Sequence, residues 1–187
     1  MALMAEPQSQ PRPASTTLRA RFCPRCATEL SERDVEGKLL PACGACDFIA
    51  YRDPKVVAVA VLSDGPGGTV WLIRRGIEPR LGEWALPGGY VDYDEHPRAA
   101  AERECHEELG CRVEIDRLVG VHHANLVTAG VVIVAYAGRI VSGTPRACPE
   151  VLEVRRFGLD ELPPLAFATH SAIVREWQRG PEAAPAP

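Results

Sequence analysis

Residues 55–63 read K-V-V-A-V-A-V-L-S, an almost unbroken apolar run of strand length. Such a run predicts a strand buried on both faces. Asp64-Gly65-Pro66-Gly67-Gly68 then turns the chain, and residues 69–75 predict the returning strand. Further strands are predicted near 118–123 and 131–141, while 151–157 alternates apolar and charged residues as a half-exposed strand should. A helix is predicted over about 97–109, with Pro97 in its first turn, three consecutive alanines (Ala99, Ala100, Ala101) and Gly110 placed for a left-handed cap. A last helix is predicted over about 169–178, with Ile173 and Trp177 on its inner face. Strands on both sides of a central helix, plus a closing helix, predict an α/β fold with a mixed sheet sandwiched between helices.

The flanks read differently. Residues 1–20 are rich in Pro, Ser, Thr, Ala and Gln and predict a disordered segment. Its Arg12 and Arg19 against Glu6 suggest a transit peptide, but scattered prolines interrupt any amphipathic helix. Asp53-Pro54 marks a joint, so the expected organisation is a small module over 21–50 and a main domain over 54–179. A Pro/Ala-rich flexible tail over 180–187 follows.

In the small module, Cys23-Pro-Arg-Cys26 and Cys43-Gly-Ala-Cys46 form two C-x2-C knuckles sixteen residues apart, which predicts a four-cysteine zinc ribbon. Disulfides fit less well: no signal peptide is visible, and seven cysteines leave one unpaired. Between Arg21 and Asp47 four basic residues face five acidic ones, so the ribbon has no electrostatic footprint for nucleic acid. Phe22 and Phe48 are expected to pack the ribbon rather than stack on bases. Over the whole chain the net charge is −4, and no apolar run is long enough to span a bilayer. These features predict a cytoplasmic enzyme that binds a small molecule, without nucleic-acid or membrane partners.

The chemistry is concentrated between Gly88 and Cys111. Glu104, Glu107 and Glu108 lie three and four residues apart and share one face of the predicted helix. Three carboxylates there repel one another unless a cation sits between them, and their oxygens suit Mg²⁺ or Mn²⁺ rather than zinc. Taken alone, the three also fit a solvated acidic face. Arg103 is placed to reach Glu95 and tie the loop to the helix through a forked pair.

Gly89, Glu95, Arg103, Glu104, Glu107, Glu108 and Gly110 stand at every glycine, arginine and glutamate position of the pattern G-x5-E-x7-R-E-U-x-E-E-x-G-U, where U is a bulky aliphatic residue. The segment therefore resembles the Nudix box, and the approach from Gly82 to Gly89 also looks like that family's. Cys105 and Cys111 occupy the two U positions, departures that bear on packing behind the helix. The resemblance implies an α/β/α sandwich and metal-dependent hydrolysis of a nucleoside diphosphate linked to another group. It implies that Glu104, Glu107, Glu108 and the Gly88 carbonyl hold Mg²⁺ or Mn²⁺, with Arg103 orienting the glutamates. Asp92 and Asp94 are candidates for outer positions or plain turn residues. Glu153, in an E-V-R-R-F segment resembling the family's E-V-R-W-F, and Glu150 are candidates for a general base outside the box. Arg74, Arg75, Arg80 and Gly89 are candidates for substrate contacts; Trp84, His122 and His123 read as packing or surface groups.

A zinc ribbon before such a domain resembles the NADH pyrophosphatases, but residues 112–132 lack an S-Q-P-W-type motif. The ribbon, A-Y-R-D-P-K, L-D-E-L-P and L-A-F together look more like ribbon-bearing ADP-ribose/FAD pyrophosphatases. ADP-ribose or FAD is therefore the expected substrate and a homodimer the expected assembly. NADH or another nucleotide, and a catalytically silent nucleotide-binding domain, are the alternatives.

Overall fold

The computed structural model describes residues 20–65, 68–125 and 130–180. The terminal segments expected to be disordered or flexible therefore lie outside the described residues, except for Ala20 and Gly180. The chain divides into two compact units between Asp53 and Pro54.

In the first unit, β1 (Leu30–Val35) and β2 (Lys38–Cys43) form an antiparallel hairpin. Its two-residue turn, Glu36-Gly37, has positive φ at both positions, which matches the right-handed twist of the strands. Cys23, Leu40, Pro41, Ala42 and Cys43 are its buried apolar residues among those described, too few for a self-sufficient core. Phe22 is not a packing residue as expected: its ring is 53% exposed, with the Arg21 guanidinium 5.3 Å from its centroid. Phe48 is half-buried under Arg25.

In the second unit the apolar run becomes β3 (Lys55–Leu62), the strand on which both layers of core are built. It pairs in parallel with β8 (Gly130–Ser142) and antiparallel with β6 (Gly88–Tyr90), while β7 (Arg112–Asn125) closes the far edge of β8. This four-stranded sheet is mixed, in the order β6-β3-β8-β7. A second, antiparallel sheet has the order β5-β4-β9, from β4 (Val70–Arg75), β5 (Trp84–Ala85) and β9 (Val151–Phe157). The single mixed sheet expected from the sequence is thus divided in two.

Alternation along β3 assigns its two faces. Ala58, Ala60 and Leu62 pack with Ala100, Ala101, Cys105 and Leu109 of α1 (Pro97–Leu109). Val59 and Val61 pack with Ile173, Val174 and Trp177 of α2 (Ala168–Arg179). Alanine meets alanine on the α1 side, so that helix lies close to the sheet. Cys105 and Cys111 are 0% and 2% exposed and pack as small hydrophobes, which resolves the departure at the two aliphatic box positions. The α1 ends obey local rules: His96 accepts the Arg98 N–H, Pro97 opens the first turn, and Gly110 caps the end at φ 65°. Strand β7 runs well beyond the expected 118–123. Register shifts at Arg112/Val113, Ile115/Arg117 and Leu118/Gly120 break its two-residue period, which hid its length in the sequence.

Candidate active site

Residues 84–90 cross from one sheet to the other: Trp84 and Ala85 pair with β4, and Gly88, Gly89 and Tyr90 pair with β3. Helix α1 follows and folds its carboxylates back onto this crossing. The Gly88 N–H donates to Glu108 Oε2 at 2.8 Å. Gly88 has φ +143°, and a Cβ there would lie 2.2 Å from the Ala58 carbonyl oxygen. At Gly89 a Cβ would fall 2.5 Å from the Glu104 carboxylate, so Gly88 lets the loop lie against β3 and Gly89 lets it lie against the helix.

Arg103 gathers the rest. Its Nε and Nη2 donate to the two oxygens of Glu95 at 3.2 and 2.5 Å, and Nη2 also donates to the Tyr90 carbonyl. Its Nη1 donates to Glu104 at 2.9 Å and to Glu107 at 3.2 Å. The loop and the helix are thereby pinned by one planar cation. Hydrogen bonding to Arg103 holds the Glu95 carboxyl below its ordinary range, and Glu95 in turn holds the Arg103 guanidinium above its own. Burial pushes the Glu104 carboxyl up against the pull of Arg103, with Glu107 and Glu150 adding repulsion. Glu108 is pushed up to about 8, first by burial; the Gly88 N–H and Arg75 oppose the rise, while Glu104 and Glu150 add to it.

An acid held protonated near neutrality by burial and like charge is a site that a cation stabilises when it displaces the proton. The donors are all carboxylate or carbonyl oxygens, which suits a hard divalent ion. Among the described residues, only Cys23, Cys26, Cys43 and Cys46 bring three or more ligand atoms within 4.8 Å of one another. The glutamates do not converge that closely, because Arg103 takes oxygens of Glu104 and Glu107 while Gly88 takes one of Glu108.

The cysteine cluster is tighter. Sγ–Sγ distances are 3.7 Å for Cys23–Cys46, 3.4 Å for Cys26–Cys43 and 3.9 Å for Cys26–Cys46. Four thiolates at about 2.3 Å from a tetrahedral metal would stand about 3.8 Å apart, so the cluster fits one ion. The Arg25 and Ala45 N–H groups point at Cys23 and Cys43 sulfur, stabilising thiolate charge. None of the seven cysteines is in a disulfide.

The remaining candidates separate. Arg75 reaches the site: its charge lowers Glu108, its Nε is fixed by the Pro79 carbonyl at 2.8 Å, and its guanidinium lies 5.4 Å from the Phe167 ring centroid. Arg74 binds the Gly82 carbonyl and stands 3.9 Å from Glu153, its partner across β4 and β9. Arg80 is an exposed turn residue paired with Glu83. Glu150, before β9, is the outside carboxylate whose charge acts on both Glu104 and Glu108. Asp92 and Asp94 are exposed in the loop, and the Asp92 N–H donates to Glu95. Trp84 packs edge-on against Phe157. His122 Nε2 lies 3.0 Å from Glu176 Oε2 without the alignment of a hydrogen bond. His123 is exposed.

One residue at this site was not singled out by the sequence. His170 is buried on the inner face of α2, and its Nδ1 accepts the Leu86 N–H at 3.1 Å. Burial pushes its pKa down to about 4, so the ring is neutral at pH 7. The only signal was its spacing, three residues before Ile173 and seven before Trp177. A lone histidine in a core stripe shares that spacing.

A glycine crossing faces an arginine-clamped helix of carboxylates, one of them buried and held by the Gly88 N–H. The NUDIX domain family matches residues 53–178, and the chain belongs to that family as a Nudix hydrolase. It is 31% identical over 131 residues to an ADP-ribose pyrophosphatase of Methanocaldococcus jannaschii, covering 69% of this chain and 76% of that protein. It is 33% identical over 134 residues to a CMP-5'-(N-acetyl-N-hydroxy-3-aminopropyl)phosphonate hydrolase of Streptomyces rubellomurinus, covering 71% of this chain and 63% of that protein. Among solved structures it is similar to a NUDIX hydrolase from Nitrosomonas europaea, with TM-score 0.76 and 29% identity over 86% of this chain and 91% of that one. Among the described residues, no helix is long and apolar enough to cross a membrane.

Proposed function

We propose that this Nudix hydrolase, a pyrophosphohydrolase of nucleoside diphosphate derivatives, cleaves the pyrophosphate of ADP-ribose or FAD. Water adds to one phosphorus and the bridging P–O bond breaks. The products are AMP and ribose 5-phosphate from ADP-ribose, or AMP and FMN from FAD. The observation that carries this reading is the Arg103-clamped carboxylate ridge facing Gly88 and Gly89. The likeness to the archaeal ADP-ribose pyrophosphatase, and the absence of an S-Q-P-W-type motif after the box, support the substrate.

Glu104, Glu107, Glu108 and the Gly88 carbonyl would hold Mg²⁺ or Mn²⁺, which would neutralise phosphate oxygens and lower the pKa of an attacking water. Arg103 sets the spacing of these carboxylates. Glu150 takes the proton of the attacking water, because its charge bears on the ridge while Glu153 is engaged by Arg74. Arg75, which makes no salt bridge among the described residues though its charge reaches Glu108, contacts a phosphate oxygen. The four cysteines hold one structural Zn²⁺, leaving no open position for water. The enzyme acts as a homodimer, which light scattering measures.

The test is AMP release from ADP-ribose and FAD with Mg²⁺ or Mn²⁺, alongside NADH, dinucleoside polyphosphates and nucleoside triphosphates. Glu107→Gln should abolish most turnover without unfolding the protein. Failure across the whole panel would overturn the reading in favour of a nucleotide-binding domain without turnover.

A further inference from the structure

Between Ala85 and Gly88 the chain leaves one sheet for the other, so the intervening backbone has no strand ladder to complete its hydrogen bonds. Individual bonds stand in for the ladder. The Trp84 carbonyl accepts the Ala166 N–H at 2.7 Å, the Pro87 carbonyl accepts the Ala60 N–H at 2.9 Å, and the Gly88 N–H reaches Glu108. Pro87 has no N–H, which leaves the Leu86 N–H as the remaining buried donor. His170 satisfies it from a position 84 residues further along the chain.

That bond fixes the proton on the imidazole. A ring nitrogen that accepts an N–H bond is unprotonated, so the neutral ring carries its hydrogen on Nε2. The side chain is 6% exposed, and among the described residues Nε2 has no hydrogen-bond partner. The Phe167 ring packs edge-on against the imidazole, with centroids 5.0 Å apart. A leucine could fill this place in the α2 stripe, but it would leave the Leu86 N–H buried and unpaired, one peptide before the turn at Gly88.

We infer that His170 is a positioning residue for the metal-binding turn: through the Leu86 N–H it fixes the sheet crossing at which Gly88 meets Glu108, and thereby sets the affinity of the site for a divalent cation. This rests on the reading that Gly88 and the three glutamates hold that cation. A ring that merely fills space makes a different prediction, because phenylalanine would then serve as well.

The test uses the full chain without substrate, with Mn²⁺ binding followed by electron paramagnetic resonance for wild type, His170→Asn and His170→Phe. Loss of a hydrogen bond to a metal ligand itself costs about 10- to 100-fold in metal affinity; Leu86 is two residues from Gly88, so His170→Phe should lose about tenfold while keeping its circular dichroism. Asparagine keeps an oxygen acceptor, so His170→Asn should stay within about threefold of wild type. Nitrogen-15 shifts of the metal-free wild type should report an Nε2–H tautomer at His170, a readout that needs neither variant to fold. Wild-type affinity in His170→Phe, equal losses in both variants, or an Nδ1–H tautomer would each overturn the inference. Wild type that binds no Mn²⁺ would overturn the metal reading and this inference with it. Failure of His170 alone is recognised by a wrong tautomer in a protein that does bind the ion.

Discussion

Gly89→Ala is the sharpest probe of how loop and helix meet. The new Cβ would lie 2.5 Å from Cδ and Oε1 of Glu104 and 2.7 Å from Oε2. Ordinary contact begins near 3.4 Å, so the carboxylate must retreat by about 1 Å. It has little room, since its side chain is 16% exposed and Arg103 holds Oε1 at 2.9 Å. The backbone at Gly89 is not left-handed, so alanine adds no torsional strain of its own. The cost therefore falls on geometry rather than folding. A displacement of about 1 Å at a reacting centre is worth about 10²-fold in rate, or roughly 2.7 kcal/mol of transition-state stabilisation. AMP release at saturating Mn²⁺ should fall by about that factor, with the thermal midpoint within a few degrees of wild type. Gly44→Ala, where a Cβ meets nothing within 4 Å, is the control for an added methyl. Wild-type kcat/KM in Gly89→Ala would refute the claim that this contact sets the carboxylate's position.

Three further outcomes follow from the geometry. The Glu108 carboxyl is raised to about 8 from an ordinary value of 4.5, so the stabilisation from its protonated form is complete below about 4.5 and is lost as pH rises through about 8. Metal-free protein should therefore melt lower at pH 9 than at pH 6, Mg²⁺ should narrow the gap, and calorimetry in two buffers should detect proton release on metal binding at pH 7. Cys23→Ser should lose the zinc expected at about one per chain, measured by elemental analysis. The first unit should then unfold, because a four-cysteine zinc site would supply about 10–16 kcal/mol to a module with so small a core. Glu150→Gln should lower kcat by about 10²–10⁴-fold, the range for a general base, while Glu153→Gln should cost under tenfold. The reverse order would reassign the base.

What the sequence disclosed follows from the range of the forces involved. The bounds of α1, its proline start and its glycine cap were legible because they depend on neighbours within four residues. So was the doubly buried β3, since apolar residues on both faces announce a strand between two layers. The Cys23–Cys46 cluster was legible because metal-ligand spacing is local to each knuckle. The division into two sheets was not, because β5 and β6 are two and three residues long and exist only through pairing with β4 and β3. That Glu153 stands opposite Arg74 needed the register of β9 against β4, which sequence spacing does not carry. His170 needed the contact of α2 with Leu86, and its own neighbours say nothing of that contact.

Because seven residues from Trp84 to Tyr90 serve two sheets at once, the floor of the site has no independent foundation. Any repacking that slides one hydrophobic layer past the other is transmitted to Gly88 before it threatens the fold as a whole. Selection for heat tolerance alone would then yield sturdy but sluggish proteins, and turnover would register a loosened interior earlier than a melting curve does.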